Sequence, residues 1–231
     1  MPSKNIRKQF IPNAYYHLYN RGVEKRKIFM DDQDYIVFLT YLQTYLQPKN
    51  IKYLQEILSK SQSKGLEKDK AIKLLRMNNF CESITLLAYC LMPNHFHLLI
   101  KQKEANTIDR FMNSLFTRYV MYFNKKYQRV GKLFQSIYKA VPVTTEEQLL
   151  HLSRYLHRNP LQLLQGSALQ NYKYSSYPEY TRKRTTNWIK TNQILSFFSN
   201  KGLNSYLSFV EDKIIDSESI NKIEEILLDE Y

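Results

Sequence analysis

The sequence predicts an α+β domain built on four antiparallel strands in the order β-α-β-β-α-β. Three observations predict it. Short stretches with strand-like alternation or enrichment in aromatic and β-branched residues recur at 14–20, 81–89, 95–101 and 137–143. Runs with the apolar spacing of amphipathic helices fill the gaps between the first two strands and the last two. Only the tight connection at Met92-Pro93-Asn94 separates the middle two, which makes them a hairpin. This is the order of a ferredoxin-like sheet, with its helices expected on one face.

Taken in order, AYYHLYN at 14–20 alternates and ends at Arg21-Gly22. Asp31 or Asp32 can cap a helix in which Tyr35, Phe38, Leu39 and Leu42 share a face. That helix stops before Pro48. Residues 49–79 read as two short, strongly basic helices separated near Gly65, an insertion in the main body. CESITLLAY supplies the second strand and 95–101 the third. Asn106 or Thr107 caps a long helix to about Tyr127, with Phe111, Leu115, Tyr119 and Tyr122 along one stripe. After the fourth strand, Thr144 or Thr145 caps a helix over 146–158, stopped by Asn159-Pro160. Past Tyr180 the pattern turns helical, with candidates at 189–199, 202–213 and 217–229. The expected organisation is a domain over 1–180 and a helical extension over 181–231.

Charge narrows the class of partner. The 34 basic and 21 acidic residues give a net charge of +13. Eight of the acidic residues and only two lysines lie after position 210, so the first 210 residues carry +19. A body that basic fits a polyanion, nucleic acid first. Nineteen tyrosines and twelve phenylalanines interleave with the basic residues, a composition that suits stacking on unpaired bases. No apolar run approaches a membrane span. The basic start, MPSKNIRKQF, has no apolar segment behind it and does not read as a signal peptide. Cys81 and Cys90 form no CxxC or disulfide framework, which fits a cytoplasmic setting.

Two groups of residues carry chemistry. His95 and His97 lie two apart on a strand, so both imidazoles leave the same face while Phe96 faces the core. Such a pair can chelate a divalent metal, although taken alone it is more often structural. Tyr155 and Asn159 are spaced i, i+4 at the end of a helix, where a hydroxyl and an amide oxygen can converge. A helix end at which Asn159 caps and Tyr155 packs would look the same. His151, one turn earlier, could bind phosphate or relay a proton. His17, on a strand expected beside the histidine pair, suits a packing role or a supporting one behind the ligands. Arg118, Lys125, Lys126, Arg129 and Lys132 form a basic run that could track phosphates or merely face solvent.

Met92-Pro93-Asn94-His95-Phe96-His97-Leu98-Leu99 resembles the histidine-hydrophobic-histidine (HUH) motif of the IS200-like single-tyrosine transposases. Four further stretches match the REP-associated branch in order. They are Tyr16-His17 with Asn20-Arg21-Gly22; 118–124 (RYVMYFN); 155–160 (YLHRNP); and Tyr174-Ser175-Ser176-Tyr177. The resemblance covers roughly residues 10–180, and the ordered co-occurrence is far more specific than any one piece. It implies that His95, His97 and Asn159 hold Mg²⁺ or Mn²⁺, two imidazoles and an amide favouring Mn²⁺. It also implies that Tyr155 attacks the scissile phosphate of structured single-stranded DNA, a hairpin, leaving a 5′-phosphotyrosine. Relatives act as monomers or as homodimers. The longer insertion at 49–79 and the tail after 180 depart from the family core. The rival expectation is a binding module of RNA-recognition type, which shares the sheet and needs no metal.

Overall fold

The computed structural model describes residues 10–164, 166 and 168–212. Its strands are β1 (Tyr15–Arg21), β2 (Ile84–Met92), β3 (His95–Gln102) and β4 (Lys139–Val143). They form one sheet in the order β2-β3-β1-β4, with every neighbouring pair antiparallel. Helices α1 (Asp32–Leu46) and α4 (Thr107–Lys126) are the two crossovers, and α2 (Ile51–Ser59) and α3 (Gly65–Arg76) form the insertion after α1. The expected β-α-β-β-α-β order is therefore the observed one.

The sheet buries both faces. Tyr16, Leu18, Phe96, Leu98 and Ile100 point toward α1 and α4, where Phe38, Leu42, Phe111, Leu115 and Tyr119 complete one core. Leu99, Cys90 and Val143 point the other way, beneath α5 (Glu146–Arg158) and the segments after it. The helices expected on one face are α1 and α4, and the second face has its own covering layer. β2 serves both cores by means of a bulge. Leu86 pairs with Ile100 and Ala88 with Leu99, leaving Leu87 as an extra residue. The extra residue shifts the alternation, so Leu86 and then Tyr89 and Leu91 all reach the α1–α4 side.

Several boundaries differ from expectation for local reasons. Of the two expected cap candidates, Asp31 caps α1 through its side chain, with Asp34 returning the bond in a capping box, and Asp32 is the first helical residue. Asn106 does not cap α4 with its side chain; it adopts a left-handed conformation at φ 66°. β2 starts at Ile84 and runs to Met92, and β4 starts at Lys139, beyond the exposed Ile137. The helices expected at 189–199 and 202–213 contract to α7 (Asn192–Leu195) and α8 (Tyr206–Glu211), separated by a turn with Gly202 at φ 84°. The third, at 217–229, lies outside the described residues. A further short helix, α6 (Tyr177–Tyr180), is fully buried. Trp188 and Ile189 also enter the α1–α4 core, and Ile189 bridges to Leu86. No described helix is long and apolar enough to cross a membrane.

Candidate active site

The site begins at the β2–β3 hairpin. The carbonyl of Pro93 accepts from Ile28 and Phe29 at 2.7 and 3.0 Å, and that of Asn94 accepts from Gly22 at 2.8 Å. The turn is thereby fastened to the loop after β1, which fixes where β3 starts. His95 and His97 leave β3 on the face opposite Phe96 and Leu98, with ring centroids 5.0 Å apart and planes at 82°. His97 is fully buried and His95 half-buried.

Helix α5 brings the second pair over this face. Thr145 caps it, accepting from the Gln148 amide at 3.1 Å, and Leu149, Leu152 and Leu156 seat it on the sheet. Asn159 keeps helical backbone and donates its amide N–H to the Tyr155 carbonyl, so both side chains share a helix face. The Asn159 Oδ1 lies 3.1 Å from His95 Nε2. The Tyr155 ring stands edge-on to His97, centroids 5.6 Å apart. His95, His97, Tyr155 and Asn159, two elements of the sequence, are brought together.

Each histidine has a partner behind it. His95 Nδ1 lies 2.7 Å from Asn94 Oδ1, and the Asn94 amide nitrogen donates to the Lys25 carbonyl at 3.5 Å. His97 Nδ1 lies 2.9 Å from Nε2 of His17, which is fully buried on the central strand and stacks on His97. Burial holds both candidate ligands below the usual imidazole pKa; for His95 the Asn159 contact opposes this and the Arg21 charge adds to it. For His97 the neighbouring His95 and His17 add to the burial effect. Neutral imidazoles are the metal-binding form.

A neutral His95 has one N–H, yet both its nitrogens face carbonyl oxygens. If Nδ1–H donates to Asn94, Nε2 and Asn159 Oδ1 present lone pairs to each other, an arrangement that a cation between or beside them relieves. The donor set of two imidazoles and a carboxamide oxygen therefore fits a divalent metal. Among the described residues, no three His, Cys, Asp or Glu side chains gather as a metal set.

The back of α5 is held by the chain that follows. His157, fully buried, joins Tyr206 Oη and Ser176 Oγ, both at 2.7 Å. Arg158 donates to the carbonyls of Val210 and Asp212, and Arg154 to that of Asp212, at the C-terminal end of α8. His151 packs against Phe209 of α8, centroids 5.5 Å apart.

The basic run on α4 lies on the sheet face opposite the histidine pair. Arg118 lies over the Tyr41 ring at 4.5 Å and contacts Met77, tying the insertion to the body. Lys126 pairs with Asp31 at 2.7 Å and the buried Asp34 at 2.9 Å. Arg129 sits over Phe123; Lys125 and Lys132 belong to the same helix end and its exit loop. The sequence reading missed other cations, Arg21, Lys25 and Lys139, which line a cavity of about 500 Å³ together with His95, His97 and Gln135. Register places Arg21 and Lys139, and the turn after β1 carries Lys25. Arg21 is the cross-strand partner of His95, and Tyr19 is the partner of both His97 and Lys139. No signal within the sequence marks them, because their placement depends on which strands pair and at what offset.

Residues 59–159 match the family model described as transposase IS200-like, a span that contains His95, His97, Tyr155 and Asn159. No curated protein matches the chain. A REP-associated tyrosine transposase bound to a REP hairpin is similar in structure at 8% identity and a TM-score of 0.42, covering 80% of this chain and 92% of that one. A structure from Deinococcus radiodurans R1, described as that of a transposase, is similar at 14% identity and a TM-score of 0.32, covering 64% of this chain and 92% of that one.

Proposed function

We propose that this chain, whose residues 59–159 match the IS200-like transposase model, belongs to that family and nicks and rejoins structured single-stranded DNA with Tyr155 as nucleophile and a divalent metal as cofactor. The ordered sequence motifs favour the REP-associated branch. The observation that carries the chemistry is the contact of Asn159 Oδ1 with His95 Nε2 at 3.1 Å, one helical turn from Tyr155. It joins a candidate ligand set to a candidate nucleophile through a single rigid helix.

His95, His97 and Asn159 would hold Mn²⁺ or Mg²⁺. The metal would supply charge to a non-bridging oxygen of the scissile phosphate, making phosphorus a better electrophile. Tyr155 Oη attacks phosphorus; the Oη–P bond forms as the P–O3′ bond breaks. The phenolic proton is released to solvent and one is taken up by O3′, so total charge is unchanged. The phosphodiester is exchanged for a phosphotyrosine of similar energy, and a second 3′ hydroxyl can reverse the step on another strand. Arg118, Lys125, Lys126, Arg129 and Lys132 are second to Arg21, Lys25 and Lys139 as phosphate contacts, because only the latter three line the cavity at the histidine pair.

An RNA-recognition module keeps the sheet face opposite its helices open for stacking. Here α5 and α8 cover much of that face, which disfavours the rival. The test is incubation with labelled single-stranded hairpins and Mn²⁺, followed by calorimetry on His95→Ala and His97→Ala. Both variants should lose Mn²⁺ binding and cleavage while staying folded. Wild-type metal affinity in either one removes the assignment.

A further inference from the structure

We propose that the cavity beside the histidine pair seats the nucleotide on the 5′ side of the cleaved bond, the one that departs carrying the 3′ hydroxyl. The inference rests on the nicking reaction above, in which O3′ leaves, and assigns the side of the sheet that receives the leaving group. In the sheet order β2-β3-β1-β4, the histidine strand β3 has β2 on one side and β1 and β4 on the other. Helix α5, with Tyr155, packs over β2 and β3. The cavity opens on the opposite flank, lined by Tyr19 and Arg21 of β1, Lys139 of β4 and the adjoining Gln135. His95 and His97 stand between the two. An in-line displacement puts the attacking and leaving oxygens at opposite ends of a line through phosphorus. A phosphate held at the histidine pair and attacked from the α5 flank therefore expels O3′ toward β1 and β4.

The cavity has the chemistry and the size for that leaving group. Two strand spacings separate β3 from β4, about 10 Å, enough for one nucleoside and its own 5′ phosphate. Arg21 donates to the side-chain oxygen of Gln135, so a guanidinium and a carboxamide meet at the rim as paired groups able to read a base edge. Lys139 lies over the Tyr19 ring at 5.9 Å, and Lys25 also lines the cavity; these two are the phosphate contacts. Lys25 is placed by backbone in an uncommon conformation. Glu24 and Lys25 both have positive φ, at 56° and 57°, in a turn whose neighbouring Lys25 carbonyl accepts from Asn94. Consecutive left-handed residues without glycine cost strain, and such strain concentrates at functional sites.

Two experiments on the full chain test the assignment. In the first, the four deoxynucleoside 5′-monophosphates, each with a 5′ phosphate and a free 3′ hydroxyl, are titrated without metal into ¹⁵N-labelled protein. At least one should shift the Gln135 side-chain amide and the Arg21 Nε signals at millimolar concentration. No shift at either group with any nucleotide overturns the proposal. In the second, a hairpin library randomised on both sides of the cleavage position is cut with Mn²⁺ and the ends are sequenced. The wild type should discriminate at the position 5′ of the cut by roughly ten- to a hundredfold. Gln135→Ala, a change at an exposed residue, should reduce that preference to within about twofold and leave preference on the 3′ side intact. Preference retained in the variant, or lost on the 3′ side instead, overturns the assignment alone. Nucleotide binding without any cleavage overturns the nicking reading and the leaving-group role together.

Discussion

His17 and His97 share a hydrogen bond between Nε2 and Nδ1, 2.9 Å long, across the two central strands of the sheet. The proton in this bond can sit on either ring, and its placement decides what His97 can do. With the proton on His97 Nδ1, the other nitrogen of His97 carries a lone pair and is a ligand. His17→Phe keeps the stack but cannot accept this proton. It should weaken Mn²⁺ binding by roughly 10–100-fold, whereas His17→Gln, whose carbonyl can accept, should recover most of it. Calorimetry on the two variants decides this. Equal affinities would leave His17 with packing alone.

Tyr155→Phe removes one oxygen from a half-buried ring and should leave folding, metal binding and hairpin binding unchanged. Cleavage and the covalent adduct should disappear. Tyr119 and Tyr122, the nearest rivals by sequence pattern, donate to the Ile28 carbonyl and to Asp34 on the other face of the sheet. Mass spectrometry of protein trapped on a nicked hairpin should map the phosphate to Tyr155, and an adduct on any other tyrosine would refute the mechanism.

Gly22 should tolerate no side chain. A Cβ there would stand 2.1 Å from the Arg26 carbonyl oxygen, a backbone atom that cannot swing aside. Gly22→Ala should cost about 1–3 kcal/mol, seen as a lower denaturant midpoint. Because the Gly22 amide also holds the Asn94 carbonyl, Mn²⁺ affinity should fall in the protein that remains folded.

Acid should destabilise the fold through His157. Burial pushes its pKa down to about 3, while the unfolded chain titrates near the ordinary value of 6.5. Above pH 6.5 both states are neutral and nothing is lost. Below it the unfolded chain takes up a proton that the fold refuses, and stability falls by about 1.4 kcal/mol per pH unit until pH approaches 3. His95 and His97, also held neutral by burial, act in the same direction. The unfolding free energy from urea titrations between pH 7 and 4 should fall with at least that slope, and His157→Gln should flatten it by about one proton. A stability independent of pH over this range would mean that His157 is not buried neutral.

Period and punctuation along the chain set several features without reference to the fold. Alternation put His95 and His97 on one face whatever lay beyond it, and an i, i+4 spacing put Tyr155 and Asn159 on one side of a helix. Turn residues at Met92-Pro93-Asn94 and the adjacent cap candidates at 31–32 and 144–145 marked the ends of elements to within a residue, and family motifs joined the two pairs. Long-range packing sets how α5 crosses the sheet, and hence that Asn159 reaches His95 while Arg154, His157 and Arg158 turn back to α8. It also sets the register that puts Arg21 opposite His95 and aligns Lys139 and Tyr19 beside His97. Those relationships join residues distant along the chain through hydrogen-bond ladders and packed side chains. Local periodicity carries no information about which strand lies next to which, or at what offset, until the hydrophobic cores on both faces have chosen it.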